Sequence, residues 1–202
     1  APSVPGENRT ENNVVTKWVN VSMMLRHTGD IILEGNETLV IENVNFTQIG
    51  NIILRDNATL IIRNATLYIK QEYCGQYWIS LNESSHLWTE NANITSNYFL
   101  WMRNNAQISF NSTYLSESYI FLEDDAILKA FNSSLHLEVA CLASSRMDLF
   151  NTSIIYASVN ENATVDIWNS DIEWFIYIPY MSHGNVSLHN SNVYKIMIEF
   201  MT

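Results

Sequence analysis

Residues 57–69 read NATLIIRNATLYI, two short apolar phrases that each open on an asparagine. Apolar and polar residues alternate within each phrase, which is typical of a half-buried β-strand. When Asn64 is taken as a reference position, equivalent positions recur along the chain with gaps of 23, 21, 27, 20, 21, 19, 18 and 21 residues. The chain therefore repeats with a period of about 20 residues and one insertion. The other positions, called the reference positions below, are Asn20, Asn43, Asn91, Asn111, Asn132, Asn151, Asn169 and Asn190.

The aligned columns support this repeat. The position three residues after each reference, from Asn43 onward, is always apolar or aromatic. The position seven residues before it carries mostly Asn, Asp or Ser, which favour tight turns. A further apolar run such as residues 52–54 follows each reference, so each repeat is predicted to be three strands separated by turns. The apolar column comprises Phe46, Leu67, Ile94, Tyr114, Leu135, Ile154, Ile172 and Val193.

One such unit cannot bury its own apolar side, so the repeats must stack on one another. The sequence predicts an all-β fold, a right-handed parallel β-helix of about nine coils of roughly 20 residues. At about 4.8 Å per coil the rod would be roughly 43 Å long. Residues 1–13 are predicted to be an extended leader and residues 14–202 a single β-helix domain. An insertion near 71–90 is predicted to leave the rod as a loop that carries Tyr73, Tyr77, Trp78 and Trp88.

The composition excludes several classes of protein. The chain is 47% hydrophobic and only 15% charged, which excludes a disordered chain. No apolar run approaches 18 residues, so no membrane span is predicted. The net charge of -11, with ten scattered Lys and Arg, offers no basic stripe for nucleic acid. The first residues, APSVPGEN, lack an initiator Met, and we expect a mature secreted, extracellular chain whose targeting peptide was removed.

Asparagine is the most prominent residue type, 25 of 202, and the acceptor pattern Asn-x-Ser/Thr occurs 13 times, where the residue frequencies give about four by chance. The pattern predicts dense N-glycosylation, although Asn followed by Ser or Thr is also turn chemistry. An asparagine held in a buried ladder cannot also carry a sugar. The reference asparagines Asn64, Asn111, Asn132 and Asn151 are therefore poor acceptors. The predicted acceptors are Asn8, Asn36, Asn45, Asn57, Asn82, Asn93, Asn162 and Asn185.

Cys74 and Cys141 are the two cysteines, and in the predicted register they lie three coils apart. Three coil steps of about 4.8 Å exceed the reach of a disulfide. Unless the insertion carries Cys74 across, the alternatives are an intermolecular bridge or two buried thiols. The apolar run around Cys141 favours its burial.

The chain closes on VYKIMIEFMT, with no polar cap after the last coil. Solenoids need polar caps to stay separate, because an open end exposes unpaired backbone groups. We therefore predict self-association through the residues Ile196, Met197, Ile198 and Phe200. Contacts of this head-to-tail kind do not close and build filaments.

A charged column is the strongest catalytic candidate. Lys129, Asp148 and Asp166 each lie three residues before a reference position, on adjacent coils. Such groups could serve acid–base cleavage of a polysaccharide, but opposite charges in register also decorate sheet faces. Glu117 and Glu138 form a second short column of the same kind.

An aromatic column precedes five successive references by one residue, and such stacked rings are predicted to seal a corner of the core, with a sugar-binding platform as the alternative. The five histidines share no metal-ligand spacing, so neither a metal site nor a cofactor is predicted. The column comprises Phe110, Phe131, Phe150, Trp168 and His189.

The pattern Asn-Ala-Thr-Leu-x-Ile-x-Asn-Ala/Ser-x-Leu over residues 57–67 resembles right-handed β-helix repeats of secreted and archaeal cell-surface proteins. The resemblance implies either a structural surface protein or a carbohydrate-active β-helix. The charged columns depart from the pectate-lyase pattern, because they lack clustered aspartates beside an arginine. The leading hypothesis is thus a non-enzymatic, heavily N-glycosylated surface subunit that self-assembles head-to-tail. A polysaccharide lyase or hydrolase and a glycan-binding adhesin, the latter using residues 73–88, are the alternatives.

Overall fold

A computed structural model describes residues 16–19, 25–95, 98–179 and 182–199, and within these ranges every regular element is a β-strand. The predicted leader at 1–13 lies outside the described residues, as do the side chains of 16–19, 117 and 175. The strands are β1 (Thr16–Val19), β2 (Leu25–Thr28), β3 (Ile31–Leu33), β4 (Thr38–Glu42), β5 (Asn45–Ile49), β6 (Ile52–Leu54), β7 (Thr59–Arg63), β8 (Thr66–Ile69), β9 (Trp78–Leu81), β10 (His86–Glu90), β11 (Asn93–Thr95), β12 (Phe99–Met102), β13 (Gln107–Asn111), β14 (Tyr114–Leu122), β15 (Ile127–Phe131), β16 (Ser134–Cys141), β17 (Arg146–Phe150), β18 (Ser153–Val159), β19 (Thr164–Trp168), β20 (Asp171–Ile178), β21 (Asn185–His189) and β22 (Asn192–Ile198).

Two long parallel sheets build the molecule. Sheet A contains nine strands in the order β1-β4-β7-β10-β13-β15-β17-β19-β21. Sheet B contains the remaining 13 strands, and each coil contributes to both sheets in turn. Strands one coil apart pair in parallel throughout, as β4 does with β7 and β5 with β8. The parallel β-helix predicted from the repeat is confirmed.

The shape of a coil changes along the rod. In the early coils sheet B receives two short strands per coil, such as β5 and β6. From β14 onward these two strands join into one long strand, as in β16 and β20. The joined strands carry register shifts at the former corner, for example between Ser116 and Ser118, and a bulge of this kind bends a strand without ending it.

The core is a set of stacked apolar columns. Inward positions of sheet A, such as Leu60, Leu87 and Ile108, are completely buried and lie in register. The column predicted three residues after each reference is buried in sheet B, with Leu67 and Ile94 as successive members. Because each coil covers the one before it, the core is continuous along the rod.

One predicted member of that column is wrong. Leu115, which is fully buried, pairs with Ile94, whereas Tyr114 points outward and is 43% exposed. The cause is the reference position in this coil, because Ser112 and not Asn111 takes the left-handed conformation there (φ 49°). The register from Asn111 was therefore displaced by one residue.

Asparagine at the reference positions has a conformational reason. Asn64, Asn91 and Asn132 have φ values of 48°, 47° and 50°. This left-handed conformation is costly for most residues and is tolerated best by glycine and asparagine. The predicted turn column is confirmed by paired turn residues such as Asp56 and Asn57, the first of which is also left-handed (φ 57°).

The insertion is shorter than predicted. The extra residues lie between the end of β8 at Ile69 and the start of β9 at Trp78. Trp78 therefore belongs to sheet B and Trp88, in β10, to sheet A, so neither is in the loop. Of the predicted loop aromatics, Tyr73 is 66% exposed and Tyr77 packs against the core.

Candidate functional surfaces

The charged column of sheet A forms as predicted. Lys129, Asp148 and Asp166 are direct neighbours on β15, β17 and β19. Arg146, which the sequence reasoning missed, lies two residues before Asp148 and so shares its face. Its Nε lies 2.7 Å from Asp148 Oδ1 and its second Nη 3.0 Å from Asp166 Oδ2.

The guanidinium thus bridges both carboxylates. Asp148 is nearly buried, while Lys129 is exposed. The hydrogen bond and charge of Asp148 raise the pKa of Arg146, so the guanidinium stays charged. It engages one oxygen of each carboxylate. The geometry is that of an ion-pair ladder on a sheet face.

The second predicted acidic column does not form. Glu117 lies at the register shift of β14, and Glu138 pairs with Tyr119 and Tyr156 instead. The bulge adds one residue to the strand, so residues at equal distances from their reference positions are no longer neighbours there.

The predicted aromatic column lies on the outside of sheet A and contains four rings. Phe131, Phe150, Trp168 and His189 stack with ring centroids 5.0, 6.2 and 3.5 Å apart and nearly parallel planes. Phe131 is 37% exposed, whereas Phe110 is fully buried and pairs with Ala130. The prediction that all five seal a corner of the core is therefore wrong. Rings stacked along the rod present their edges to solvent, and a sugar platform requires an exposed ring face.

A second group of aromatic rings covers the outer side of sheet B, and we call it the aromatic face. Its residues alternate with buried ones on β9, β12 and the second half of β14. Neighbouring rings have centroids 5.5 to 6.3 Å apart and are mostly tilted by 39° to 48°. Tilted rings leave part of their faces accessible. The aromatic face comprises Trp78, Phe99, Trp101, Tyr119 and Phe121.

The sequence contained a signal for the aromatic face. Residues 99–102 and 119–122 read FLWM and YIFL, in which buried Leu100 and Ile120 are flanked by large aromatic residues. Period-two alternation places the flanking residues on the outer side. Because these segments had been assigned only as apolar runs, their outward aromatic half was missed.

Most predicted glycan acceptors within the described residues are exposed; Asn8 lies outside those residues. Asn82 is half-buried, and its Nδ2 donates to Ser80 Oγ at 3.0 Å. The geometry therefore favours the other acceptors over Asn82. The exposed acceptors are Asn36, Asn45, Asn57, Asn93, Asn162 and Asn185.

The reference asparagines form ladders, but these ladders are exposed and not buried. Asn91 Nδ2 donates to Asn64 Oδ1 at 3.3 Å, and Asn151 Nδ2 donates to Asn132 Oδ1 at 2.8 Å. Burial therefore does not exclude a sugar at Asn64, Asn132 or Asn151, although the ladder engages their amides.

Buried hydroxyl groups form a further ladder immediately after the reference positions. Thr113 N donates to Ser133 Oγ at 3.1 Å, and Thr152 N donates to Ser170 Oγ at 3.0 Å. Each hydroxyl in turn donates to a carbonyl two residues earlier, as Ser170 does to Trp168 O. The Ser or Thr after a reference asparagine thus satisfies backbone groups at a buried corner.

The last described coil leaves the core open. Ile196 is 46% exposed, although its neighbour Ile176 in the same column is fully buried. Ile198 is 51% exposed and Leu188 is 38% exposed. Met197 is half-buried, and Phe200, the fourth predicted contact residue, lies outside the described residues. In the described part of the chain no strand covers β21 or β22.

The two cysteines are free thiols in different environments. Cys141 is fully buried in the core, which raises the pKa of its thiol to about 12. Cys74 is exposed on the loop between β8 and β9. The alternative of two buried thiols is thus wrong for Cys74, whereas the burial expected of Cys141 is confirmed.

No protein-family model, curated protein or solved structure matches the chain. Among the described residues, no helix is long and apolar enough to cross a membrane. The same part of the chain contains no cluster of three or more His, Cys, Asp or Glu residues that could hold a metal ion. Function is therefore inferred from the surfaces of the rod.

Proposed function

We propose that this protein is a structural, N-glycosylated subunit of an extracellular surface, which assembles head-to-tail through the ends of its β-helix. The observation that carries the proposal is the open core of the last described coil. Ile196 and Leu188 are solvent-exposed there, although their column neighbours Ile176 and Ile167 are fully buried, and no described strand pairs with the outer edges of β21 and β22. Such an edge is a template for pairing with another chain.

A second copy is the occupant that the core columns favour. Among the described residues, Leu25, Ile31 and Leu33 are the first members of the sheet B columns whose last members are Val193, Ile196 and Ile198. Stacking one copy on the next in register would continue all three columns by one coil step of about 4.8 Å.

The contact is expected to centre on sheet B, because the residues of its three columns are apolar in both the first and the last described coil.

The glycans would act on the sides of the rod. Exposed acceptors such as Asn36, Asn57 and Asn162 lie at the outer turns, where sugars would keep neighbouring rods apart. Peptide mapping of the native glycoprotein should find sugar at these turns and an unmodified Asn82. Native material without any sugar would contradict the glycosylated part of the proposal.

The test of assembly is sedimentation over a wide range of concentration. We expect concentration-dependent polymers, which Ile196→Asp abolishes because it places a charge in the apolar end contact. Tyr68→Asp is the matched control, since Tyr68 is 42% exposed in the middle of the rod. A protein that remains monomeric at all concentrations contradicts the proposal.

A polysaccharide lyase or hydrolase is the second candidate, favoured by the register of Lys129, Asp148 and Asp166. Reducing-sugar assays on a panel of acidic glycans test it. Cleavage that disappears in Asp148→Ala would support this candidate, and cleavage retained in that variant would reject these residues.

A further inference from the structure

The outer side of sheet B carries two parallel columns of side chains along the rod, with the aromatic face at their centre. We propose that the surface formed by these two columns is a lateral interface with a second copy of the chain, in which the two rods lie antiparallel about a two-fold axis. This contact is separate from the end contact proposed above.

The aromatic face differs from the rest of the surface in charge and in glycan acceptors. The chain has a net charge of -11, yet the five rings of the face carry no charge. Every acceptor asparagine in the described residues lies outside the two columns, and Asn82 only borders them through its bond to Ser80. Four of the rings are half-buried and Tyr119 is 37% exposed, so the face is a partly exposed apolar surface without acceptor asparagines, which suits a protein interface.

The order of residues along the columns points to a second copy. The first column runs Ile32, Ile53, Ser80, Trp101, Phe121, Ala140, Ser158, Tyr177, Met197. Its middle member is Phe121. When the column is reversed about Phe121, Trp101 faces Ala140, so that a large side chain meets a small one. Ser80 then faces Ser158, and Ile32 faces Met197.

The second column has Tyr119 as its middle member, and it can be reversed about Tyr119 as the first column is about Phe121. Trp78 faces Tyr156 in the reversed column. Asp30, next in line before Asn51, faces Lys195 at the far end. Because a two-fold axis repeats each contact, the pairing brings opposite charges together at both ends of the interface.

Phe99 faces Glu138 in this arrangement, and the electropositive edge of an aromatic ring suits a carboxylate.

The loop between β8 and β9 borders the aromatic face and packs against it. Gly75 packs so closely on Phe99 that an added Cβ would lie 2.4 Å from the ring. In the antiparallel pair this loop would lie beside β18 of the second copy, where the chain forms one continuous strand and leaves room for it. A preorganised surface loses little entropy on binding.

Substitution at the centre of the interface tests the proposal. Phe121 meets its own copy at the two-fold axis, so Phe121→Glu would oppose two carboxylates. Like charges in contact cost several kcal/mol, so we expect the dimer dissociation constant to rise about a hundredfold or more. Tyr114→Glu is the matched control, because Tyr114 is an exposed aromatic residue of β14 outside the two columns. The measurement is sedimentation in an Ile196→Asp background, which removes the end contact.

Crosslinking tests the antiparallel order. Asp30 and Lys195 would also meet in end-to-end stacking, so the test uses Ser80→Cys together with Ser158→Cys in a Cys74→Ser background. A short bismaleimide should link the pair into covalent dimers, whereas either single cysteine variant should give far fewer. Dimers that form equally well with one cysteine would overturn the antiparallel order.

Two outcomes overturn the proposal as a whole. One is an Ile196→Asp protein that stays monomeric at high concentration. The other is a monomeric protein whose tryptophan emission is quenched by oligosaccharides, while the emission of Phe121→Glu is not quenched by them. That result would assign the face to a glycan. In both cases loss of polymers through Ile196→Asp would still be observed if the end contact is correct.

Discussion

At the corners of each coil, the backbone conformation determines which residue type is tolerated. A left-handed residue turns the chain from sheet A into sheet B at the described reference positions, with Ser112 in the place of Asn111, and asparagine tolerates that conformation better than other residues with a Cβ. Asn169 is the clearest case, because its φ is 48° and it is not followed by Ser or Thr at the second position. Its presence therefore has a backbone reason that is independent of glycosylation.

Asn169→Ala should accordingly lower the free energy of unfolding by about 1 kcal/mol, since alanine is strained in the left-handed region. Asn169→Gly should stay within about 0.5 kcal/mol of the original protein, because glycine is unstrained there but loses more entropy on folding. Urea unfolding of both variants measures the difference. Equal destabilisation by alanine and glycine would show that the amide group, and not φ, is what the position requires.

The two thiols should differ sharply in reactivity. At pH 8 an aromatic disulfide reagent should modify Cys74 in the folded protein, and Cys141 only after unfolding, because Cys141 is buried and its pKa is raised to about 12. Below about pH 9 the Cys141 thiol is protonated in both the folded and the unfolded protein, so its ionisation does not lower the free energy of unfolding there. Above that pH the unfolded thiol ionises first, so the free energy of unfolding should fall until about pH 12. A Cys141→Ala variant should lack this part of the pH dependence.

At the scale of strands, the ladder of buried hydroxyl groups holds the corner after β17 and β19. Ser170 accepts from Thr152 N and donates to Trp168 O, and it is almost fully buried. Its role follows from the backbone groups that a buried corner would otherwise leave unpaired.

Ser170→Ala should therefore lower the free energy of unfolding by roughly 1–3 kcal/mol, the cost of one buried unsatisfied donor. The control is Ser134→Ala, because Ser134 is exposed on β16 and its loss should stay within about 0.5 kcal/mol. Thermal or urea unfolding monitored by circular dichroism provides the comparison. If both changes lower the free energy of unfolding equally, the ladder does not contribute to stability as proposed.

How far the sequence predicts these elements depends on how regular each coil is. The period, the buried columns and the neighbours Lys129, Asp148 and Asp166 follow from counting residues, because parallel strands one coil apart pair without an offset there. Counting failed at Asn111, where two adjacent turn-forming residues, Asn111 and Ser112, compete for one left-handed position. It failed again at Glu117, because a bulge adds a residue that no pattern of apolar residues marks.

The candidate surfaces were harder to predict than the core. Burial selects apolar residues in a simple alternation, whereas the outward positions follow no period. Arg146 belongs to the charged column only through a side chain long enough to reach two neighbouring carboxylates. The aromatic face required knowing that Trp78 is in a strand and not in the inserted loop, and the length of an insertion cannot be read from the repeat.

For the whole molecule, the structure is a rod whose sides and ends differ in chemistry. Exposed acceptor asparagines lie at turns, as Asn36 and Asn57 do, and on strands, as Asn45 and Asn93 do. The aromatic face covers three adjacent coils on one side, and the apolar core is exposed at the last described coil. Each of these surfaces suits the proposed contacts with neighbouring molecules or with sugar.

Electron microscopy of the native protein tests the proposed head-to-tail assembly. We expect filaments whose axial repeat is roughly 43 Å, the length of nine coils at about 4.8 Å each, and Ile196→Asp should leave only short particles. Native material that appears as single rods at every concentration, or as filaments with a repeat unrelated to the coil spacing, would contradict it.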